Sequence, residues 1–444
     1  MRRRSLFSRL TPTQVVVPAF LGPGLIGGLL LTTPLAQVRP VGALDALFTA
    51  LSAVCLNGLA PVDLRHFSGF GQVLIALLVQ LGGLASLLIG SVLALTAGRR
   101  QGLGERLRLA TQLGRREAGL LPLLRFVLLS SLIAEGIGTL LLWTRFGPHD
   151  GWGQGLFSAL FHAVAAYNNS AFSLYPQGLN RYAADPVVSL LIPLLSVLGG
   201  LSVLVQWGLI VRWRDRRTPL STYVRLVLVG SGALLLGGIL GVAVLEWTNP
   251  ATLGALPPGG KILASVFQGV TPRSLGMHTV DLGALRPATW LLMALLMFVG
   301  TVPASTGGGI KVSTWLVALG GAWQVLRGRA ELVAFRRRIE EATVLRAVAV
   351  WLLALAVLGA GGLLMVLLDP RLPVPAVLVE TVSAFSSAGL SVGLTPILSP
   401  GAKVVVMLLM LAGRVLPLVL LATLGSRHVR DPLRYPPERD VLIG

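Results

Sequence analysis

From Leu10 to Val38 the chain carries no Asp, Glu, Lys or Arg, and the same holds for Phe67–Gly98, Val187–Val211, Leu226–Leu245 and Ala347–Leu368. A membrane-spanning helix needs about 20 predominantly apolar residues, and each of these runs is long enough. Hydrocarbon offers backbone groups no water, so segments that cross it must satisfy their own hydrogen bonds, as a helix does. Charged residues make up 12% of the 444, and mean hydropathy is +0.78. A soluble chain would carry roughly twice that charge. These runs specify an all-α polytopic membrane protein. The N-terminal MRRRSLFSRL is basic like a signal peptide. Gly and Pro fill the run after it and no A-x-A-like cleavage site stands out, so it reads as a retained first span.

The net charge of +19 does not mark a nucleic-acid binder, because the basic residues fall where membrane topology puts them. Arg2, Arg3, Arg4 and Arg9 precede the first span. Further clusters lie at Arg99–Arg116, Arg212–Arg217 and Arg327–Arg338, and Arg427, Arg430, Arg434 and Arg439 close the chain. The intervening connections are sparser, with Arg39, Arg65, Arg145, Arg181 and Arg371. This asymmetry is the positive-inside pattern, which places both termini and three internal loops in the cytoplasm. The single cysteine, Cys55, excludes an internal disulfide.

Between basic clusters the apolar character breaks at four places: SAVCLNGL (52–59), AAYNNSAF (165–172), GVTPRSLGM (269–277) and SAFSSAGL (383–390). Aligned on Gly58, Ala171, Gly276 and Gly389, they stand 113, 105 and 113 residues apart. A period of this length means an array of similar units. Short apolar segments precede the breaks: ALDALFTALSAV, GLFSALFHAVAAY, KILASVFQGV and AVLVETVSAF. They are too short to span and fit re-entrant half-helices. The expected unit is outer helix, half-helix, extended loop and inner helix, four times in parallel. Boundaries fall at 1–97, 98–217, 218–326 and 327–426, with a tail at 427–444. Non-helical backbone at membrane depth is tolerated where it is buried in protein or lines a watery cavity. Four such loops around one axis predict a central pore with a carbonyl-lined selectivity filter. Each half-helix would aim the partial negative charge of its C-terminal end at the axis.

Residues 287–326 contain one charge, Lys311, over twice the length of a span, so the helix must break there. PASTGGGIK is the place, since Gly307, Gly308 and Gly309 each lower helix propensity by roughly 1 kcal/mol. Arg414 stands alone within MLLMLAGRVLPLVLLATL. An arginine at the centre of a membrane helix costs at least about 2.5–3.5 kcal/mol, so it is a functional residue by default.

SVFQGVTPRSLGMHTVDLG, LMFVGTVPASTGGGIKVSTW and MLAGRVLPL closely resemble stretches of the bacterial Trk/Ktr potassium transporters, the Ktr-type membrane subunit above all. SAVCLNGL with FGQVLIALLVQLGGL, and NNSAFSL with DPVVSLLI, fit the same family. The resemblance covers nearly the whole chain. It implies eight spanning helices, four pore loops, a homodimer in membrane lipid, and a cytoplasmic nucleotide-binding regulatory ring. Potassium would be the transported ion, with no organic cofactor on this chain. The implied filter carbonyls belong to Leu56, Asn57 and Gly58, to Asn169, Ser170 and Ala171, to Ser274, Leu275 and Gly276, and to Ser387, Ala388 and Gly389. The segment with Gly307, Gly308, Gly309 and Lys311 would form an intramembrane gating loop. Arg414 would line the pore, raise the barrier to cations and bind the gating loop's carbonyls. Two positions depart from the family pattern: Ala171 replaces a usual glycine, and Pro272 a usual threonine. Both bear on ion preference.

Other polar residues read more plainly. Glu135 is expected to hydrogen-bond between helices. His162 and His278 lack metal-ligand neighbours, and Asp45 and Glu380 are expected near half-helix starts, where an acid suits the helix dipole. No nucleophile–base pair or phosphate-binding loop appears, so an enzyme is disfavoured. A weakly selective, sodium-preferring or sodium-coupled transporter of the same architecture is the alternative. A secondary transporter with inverted repeats would also show broken helices, but these four units all start on the cytoplasmic side.

Overall fold

Six helices are long and apolar enough to cross a membrane unbroken in the computed structural model, which describes residues 12–98, 120–329 and 331–424. They are α1 (Pro12–Leu31), α3 (Gly69–Gly98), α4 (Leu120–Asp150), α8 (Thr222–Glu246), α12 (Glu341–Leu368) and α14 (Pro400–Leu424). Four short helices lie between them: α2 (Ala43–Val54), α5 (Trp152–Tyr167), α9 (Pro258–Val270) and α13 (Val374–Ser386). The bent pair α6 (Pro186–Gly200) and α7 (Val203–Arg214) is together long and apolar enough for a seventh crossing, and α10 (Pro287–Phe298) and α11 (Val312–Leu326) are two further short apolar helices.

The break between α10 and α11 falls at the expected glycines. The one between α6 and α7 was not expected, since 187–211 reads as a single span. The two pieces differ in direction by 100°. Gly199 and Gly200 weaken the end of α6, and Ser202 caps a new helix by accepting from the Val205 N–H. Capping also sets the start of α6, where Asp185 accepts from the Val187 and Val188 N–H groups. The basic stretch 331–339, expected as a loop, forms a hairpin of β1 (Leu332–Ala334) and β2 (Arg337–Ile339). Its turn residues Phe335 and Arg336 both have positive φ, as a tight type I′ turn requires.

Helix packing closes a ring. The inner helices α3, α6, α10 and α14 each pack against the short helix of the next unit, respectively α5, α9, α13 and α2. The last of these contacts joins the end of the chain to its beginning. Outer helices wrap this ring and face outward. In α12 only 22% of the spanning window is buried, against 44% in α3. Ile133, Ile137, Leu363 and Leu367 project from outer helices into the surroundings, a pattern suited to hydrocarbon and costly in water.

Candidate functional site

Each short helix ends inside the ring, and three of them end alike. After α2 the N–H of Leu56 donates to the Ala53 carbonyl and that of Asn57 to the Ser52 carbonyl. After α5 the same pair runs from Asn169 to Ala166 and from Ser170 to Ala165, and after α13 from Ser387 to Ala384 and from Ala388 to Ser383. These are Schellman caps, which place their first non-helical residue in the left-handed region. Leu56, Asn169 and Ser387 accordingly have φ of 56°, 58° and 49°. In the third loop Ser274 has φ of 74°, although its hydrogen bonds shift, with Leu275 and Gly276 both donating to Thr271. Left-handed backbone costs a non-glycine residue about 1–2 kcal/mol. Tertiary packing holds it here, for all four residues are almost completely buried.

Two residues farther on, the four loops meet. Gly58, Gly276 and Gly389 have φ of 97°, 67° and 72°. Ala171 does not share this conformation, since it is absent from the positive-φ residues. A Cβ added to Gly58, Gly276 or Gly389 would lie 2.6, 2.3 or 2.2 Å from the Ala171 Cβ. The three glycines therefore face one point, and the Ala171 methyl occupies it. The Ala171 N–H donates to the Asn57 carbonyl at 3.2 Å. Added Cβ atoms on Gly276 and Gly389 would also lie 2.0 Å from the Ala388 and Asn57 carbonyl oxygens. Glycine is required there by close approach as well as by φ.

Side chains lock the loops from behind. The Asn57 amide donates to the Ser383 and Ala384 carbonyls at the end of α13. Asn168 donates to Gln80 of α3 and to Glu135 of α4 at 2.8 and 3.1 Å, which gives Glu135 the interhelical role expected of it. Asn169 donates to the Thr306 hydroxyl at 2.7 Å and to the Ser196 carbonyl at 3.1 Å, and accepts from the Ser196 hydroxyl at 2.5 Å.

Segment 299–311 forms a closed loop between α10 and α11. Its ends pair through Gly300 N–H to the Ile310 carbonyl and Val312 N–H to the Thr301 carbonyl. Lys311 Nζ donates across it to the Gly307 carbonyl at 2.6 Å. The glycines were expected to act by weakening the helix, and the structure adds a packing reason. An added Cβ on Gly308 would lie 2.6 Å from the Ser386 carbonyl oxygen, directly behind the fourth loop. Only Gly309 of the three has positive φ.

Arg414 is 4% exposed on α14 and donates through Nε to the Cys55 carbonyl at 3.1 Å. The expected contact with carbonyls of the 299–311 loop is replaced by this bond to the C-terminal end of α2, where a cation is favoured. Its Nη2 has no hydrogen-bond partner, and Lys311 lies within Coulombic reach.

Glu380 also differs from expectation. It sits midway along α13 rather than at its start, and accepts from the Thr395 hydroxyl. Asp45 does lie in the first turn of α2, paired with Lys403 at 2.7 Å. His162 bridges the Ser158 carbonyl and the Ser173 hydroxyl and stacks on Tyr175. Among the described residues no group of three His, Cys, Asp or Glu side chains is placed to hold a metal.

Sequence reasoning missed Arg273. It is 5% exposed in the third loop and donates to the Ser231 carbonyl of α8 and the Gly300 carbonyl at 3.1 and 3.0 Å. Its signal was weaker than that of Arg414, because Thr271, Pro272 and Ser274 surround it with loop residues rather than an apolar run. Thr306 gave no such signal.

Residues 11–428 match the family described as TrkH, cation transport protein. The chain is 37% identical over 430 residues to the Ktr system potassium uptake protein B of Bacillus subtilis, covering 96% of each chain. It is 36% identical over 433 residues to the protein of the same name from Vibrio alginolyticus, covering 97% of this chain and 94% of that one. The potassium/sodium uptake protein NtpJ of Enterococcus hirae is 29% identical over 456 residues, covering 100% of this chain and 99% of that one. In fold, the chain is similar to the crystal structure of the potassium transporter TrkH from Vibrio parahaemolyticus. The TM-score is 0.71 at 16% identity, with 95% of this chain and 86% of that one covered.

Proposed function

The chain belongs to the TrkH family of cation transport proteins, a multi-pass membrane transporter rather than an enzyme, and from that premise we propose that it takes up potassium through a filter built from its four loops. The relatives named as potassium uptake proteins support the choice of ion. One observation carries the mechanism: Gly58, Gly276 and Gly389 face the Ala171 methyl at a single point. In this reading carbonyls of Leu56, Asn57 and Gly58 and their counterparts replace a cation's hydration shell. Four helix C-termini add partial negative charge around the ion. Potassium then moves down its electrochemical gradient, driven by the membrane potential. The 299–311 loop lies against the second and fourth filter loops and acts as the gate, and Arg414 adds a positive barrier below the filter.

The four units, bounded at residues 97, 217, 326 and 426, are read as pore repeats in the inner membrane with both termini cytoplasmic. The basic cluster at 99–116 and the tail at 427–444 lie outside the described residues, so the charge pattern supports this orientation. We read the protein as a homodimer on a cytoplasmic nucleotide-binding ring, in keeping with relatives named as parts of a Ktr system. Co-purification with a nucleotide-binding subunit tests this. A stable complex that survives loss of both the tail and residues 327–338 rules out those segments as the contact.

Uptake of potassium, rubidium and sodium by cells lacking their own potassium transporters tests the function. Potassium and rubidium uptake well above sodium is expected, and equal or greater sodium uptake overturns it. Ala171 favours one second reading, a weakly selective or sodium-preferring transporter, because its loop lacks the left-handed glycine that shapes the other three.

A further inference from the structure

Loop two differs from its neighbours in how it is held. Its ring residue is Ala171, whose methyl sits where the three glycines face, so a small displacement of this loop moves an atom across the axis. Two residues earlier, Asn169 is left-handed with φ of 58° and completely buried. Asparagine visits this region when its short side chain finds hydrogen bonds. Besides a long bond from Nδ2 to the nearby Tyr167 carbonyl at 3.4 Å, those bonds come from two other elements. Ser196 of α6 binds both ends of the amide, its hydroxyl donating to Oδ1 and its carbonyl accepting from Nδ2. The other anchor is Thr306, whose hydroxyl accepts from Nδ2 at 2.7 Å and donates to the Tyr167 carbonyl at 3.3 Å. Thr306 belongs to the 299–311 loop, and its own N–H donates to the Gly199 carbonyl at the end of α6. One of the two anchors of a filter residue is therefore part of the gate.

We infer that Thr306 is a specificity-positioning residue: its hydroxyl holds the Asn169 amide, and through it the backbone that aims the second loop's carbonyls and the Ala171 methyl. This rests on the reading of the four loops as filter and of 299–311 as gate. A gate that only blocks the pathway changes how many ions pass and leaves unchanged which ions pass. A gate that shares a buried hydrogen bond with the filter changes both. When the loop withdraws, Asn169 loses one anchor, its left-handed backbone is less constrained, and the second loop's contribution to ion discrimination falls.

The test uses the full-length protein in planar bilayers, with reversal potentials measured between potassium and sodium solutions. Thr306→Val keeps the shape and removes the hydroxyl, and is expected to lower the potassium-to-sodium ratio by about threefold or more. Thr306→Ser keeps the hydroxyl and is expected to retain the ratio. Ser196→Ala removes part of the other anchor and is expected to shift the ratio in the same direction. It decides the matter alone if the valine variant does not assemble. In combination the two should fall short of additivity, because they act on one side chain. An unmoved ratio in both Thr306→Val and Ser196→Ala overturns the inference, and so does a serine variant that behaves like valine. Ala171→Gly separates the layers: if it shifts the ratio and the Thr306 and Ser196 variants do not, only this inference fails. If none of them shifts it, the filter reading fails.

Discussion

Arg414 and Arg273 are both arginines buried in the ring, one on an inner helix and one in the third loop, and they are held in different ways. Arg273 ties two elements together, with one guanidinium nitrogen on the Ser231 carbonyl of α8 and another on the Gly300 carbonyl where the 299–311 loop begins. Arg414 makes one bond, to the Cys55 carbonyl, and each arginine has one nitrogen without a partner, Nη2 of Arg414 and Nε of Arg273. The difference separates two uses of a buried charge. A guanidinium bonded to carbonyls on two elements fixes their separation. One bonded at a single nitrogen is tied to one element only. Sequence anomaly alone signals the burial cost of Arg414 and does not show how either arginine is held.

The largest effect expected from breaking this contrast is on stability. Arg273→Ala removes two hydrogen bonds from a charged group, each worth about 1.5–3 kcal/mol, whereas Arg414→Ala removes one. Thermal unfolding in detergent should therefore show the greater loss for Arg273→Ala, and equal losses would remove the distinction. Next comes the loop that Arg273 anchors. Deleting Gly307–Gly309 should raise uptake by about tenfold, the equivalent of about 1.4 kcal/mol in barrier height. Unchanged or lower uptake in a correctly assembled protein would count against a gating role.

A smaller change is expected at Arg414 itself. Arg414→Ala should raise cation flux several-fold and weaken closure, while Arg414→Lys, which keeps the charge, should stay near the parent rate. A fall in flux for the alanine variant, with expression intact, would show that Arg414 does not act as a barrier. The smallest effect sharpens the comparison from outside it. Ala171→Gly touches neither arginine and should increase the potassium-to-sodium preference by a few-fold, a shift of under about 1.4 kcal/mol. Reversal potentials in mixed potassium and sodium measure it, and an unaltered ratio would mean that the ring already holds its ion geometry with alanine in place.

Much of the architecture was legible before any coordinates. Charge-free runs located four of the six unbroken spans, α1, α3, α8 and α12, but not α4 and α14, which carry charges, and helix 43–54 begins and ends where its apolar segment does. The Gly307–Gly309 break was legible because 40 residues are too many for one span. The bend after Gly200 was not, because its run has the length of a single span and contains no charge. Glu380 was misplaced by the same kind of ambiguity: its distance from the start of α13 depends on a helix boundary that apolar composition leaves soft. At the ring, glycine stands at three of the four aligned positions, Gly58, Gly276 and Gly389, and only glycine adopts their left-handed backbone freely. The left-handed positions at Leu56, Asn169, Ser274 and Ser387 gave no such sign, because there the surrounding packing overrides local preference.

The amino-acid sequence by itself determined that this chain crosses a membrane repeatedly, where it breaks four times, and which residues stand at those breaks. Hydrophobic transfer and backbone satisfaction are local enough to be read along the chain. Only the tertiary structure decided how the breaks meet. It placed the Ala171 methyl among three glycines from three other loops, sent Arg414 to Cys55, and brought Thr306 to Asn169, 137 residues away. Those contacts join different units, and the one between Arg414 and Cys55 lies where α14 meets α2 and closes the ring. Closure is a property of all four units packed together and of no one segment's composition.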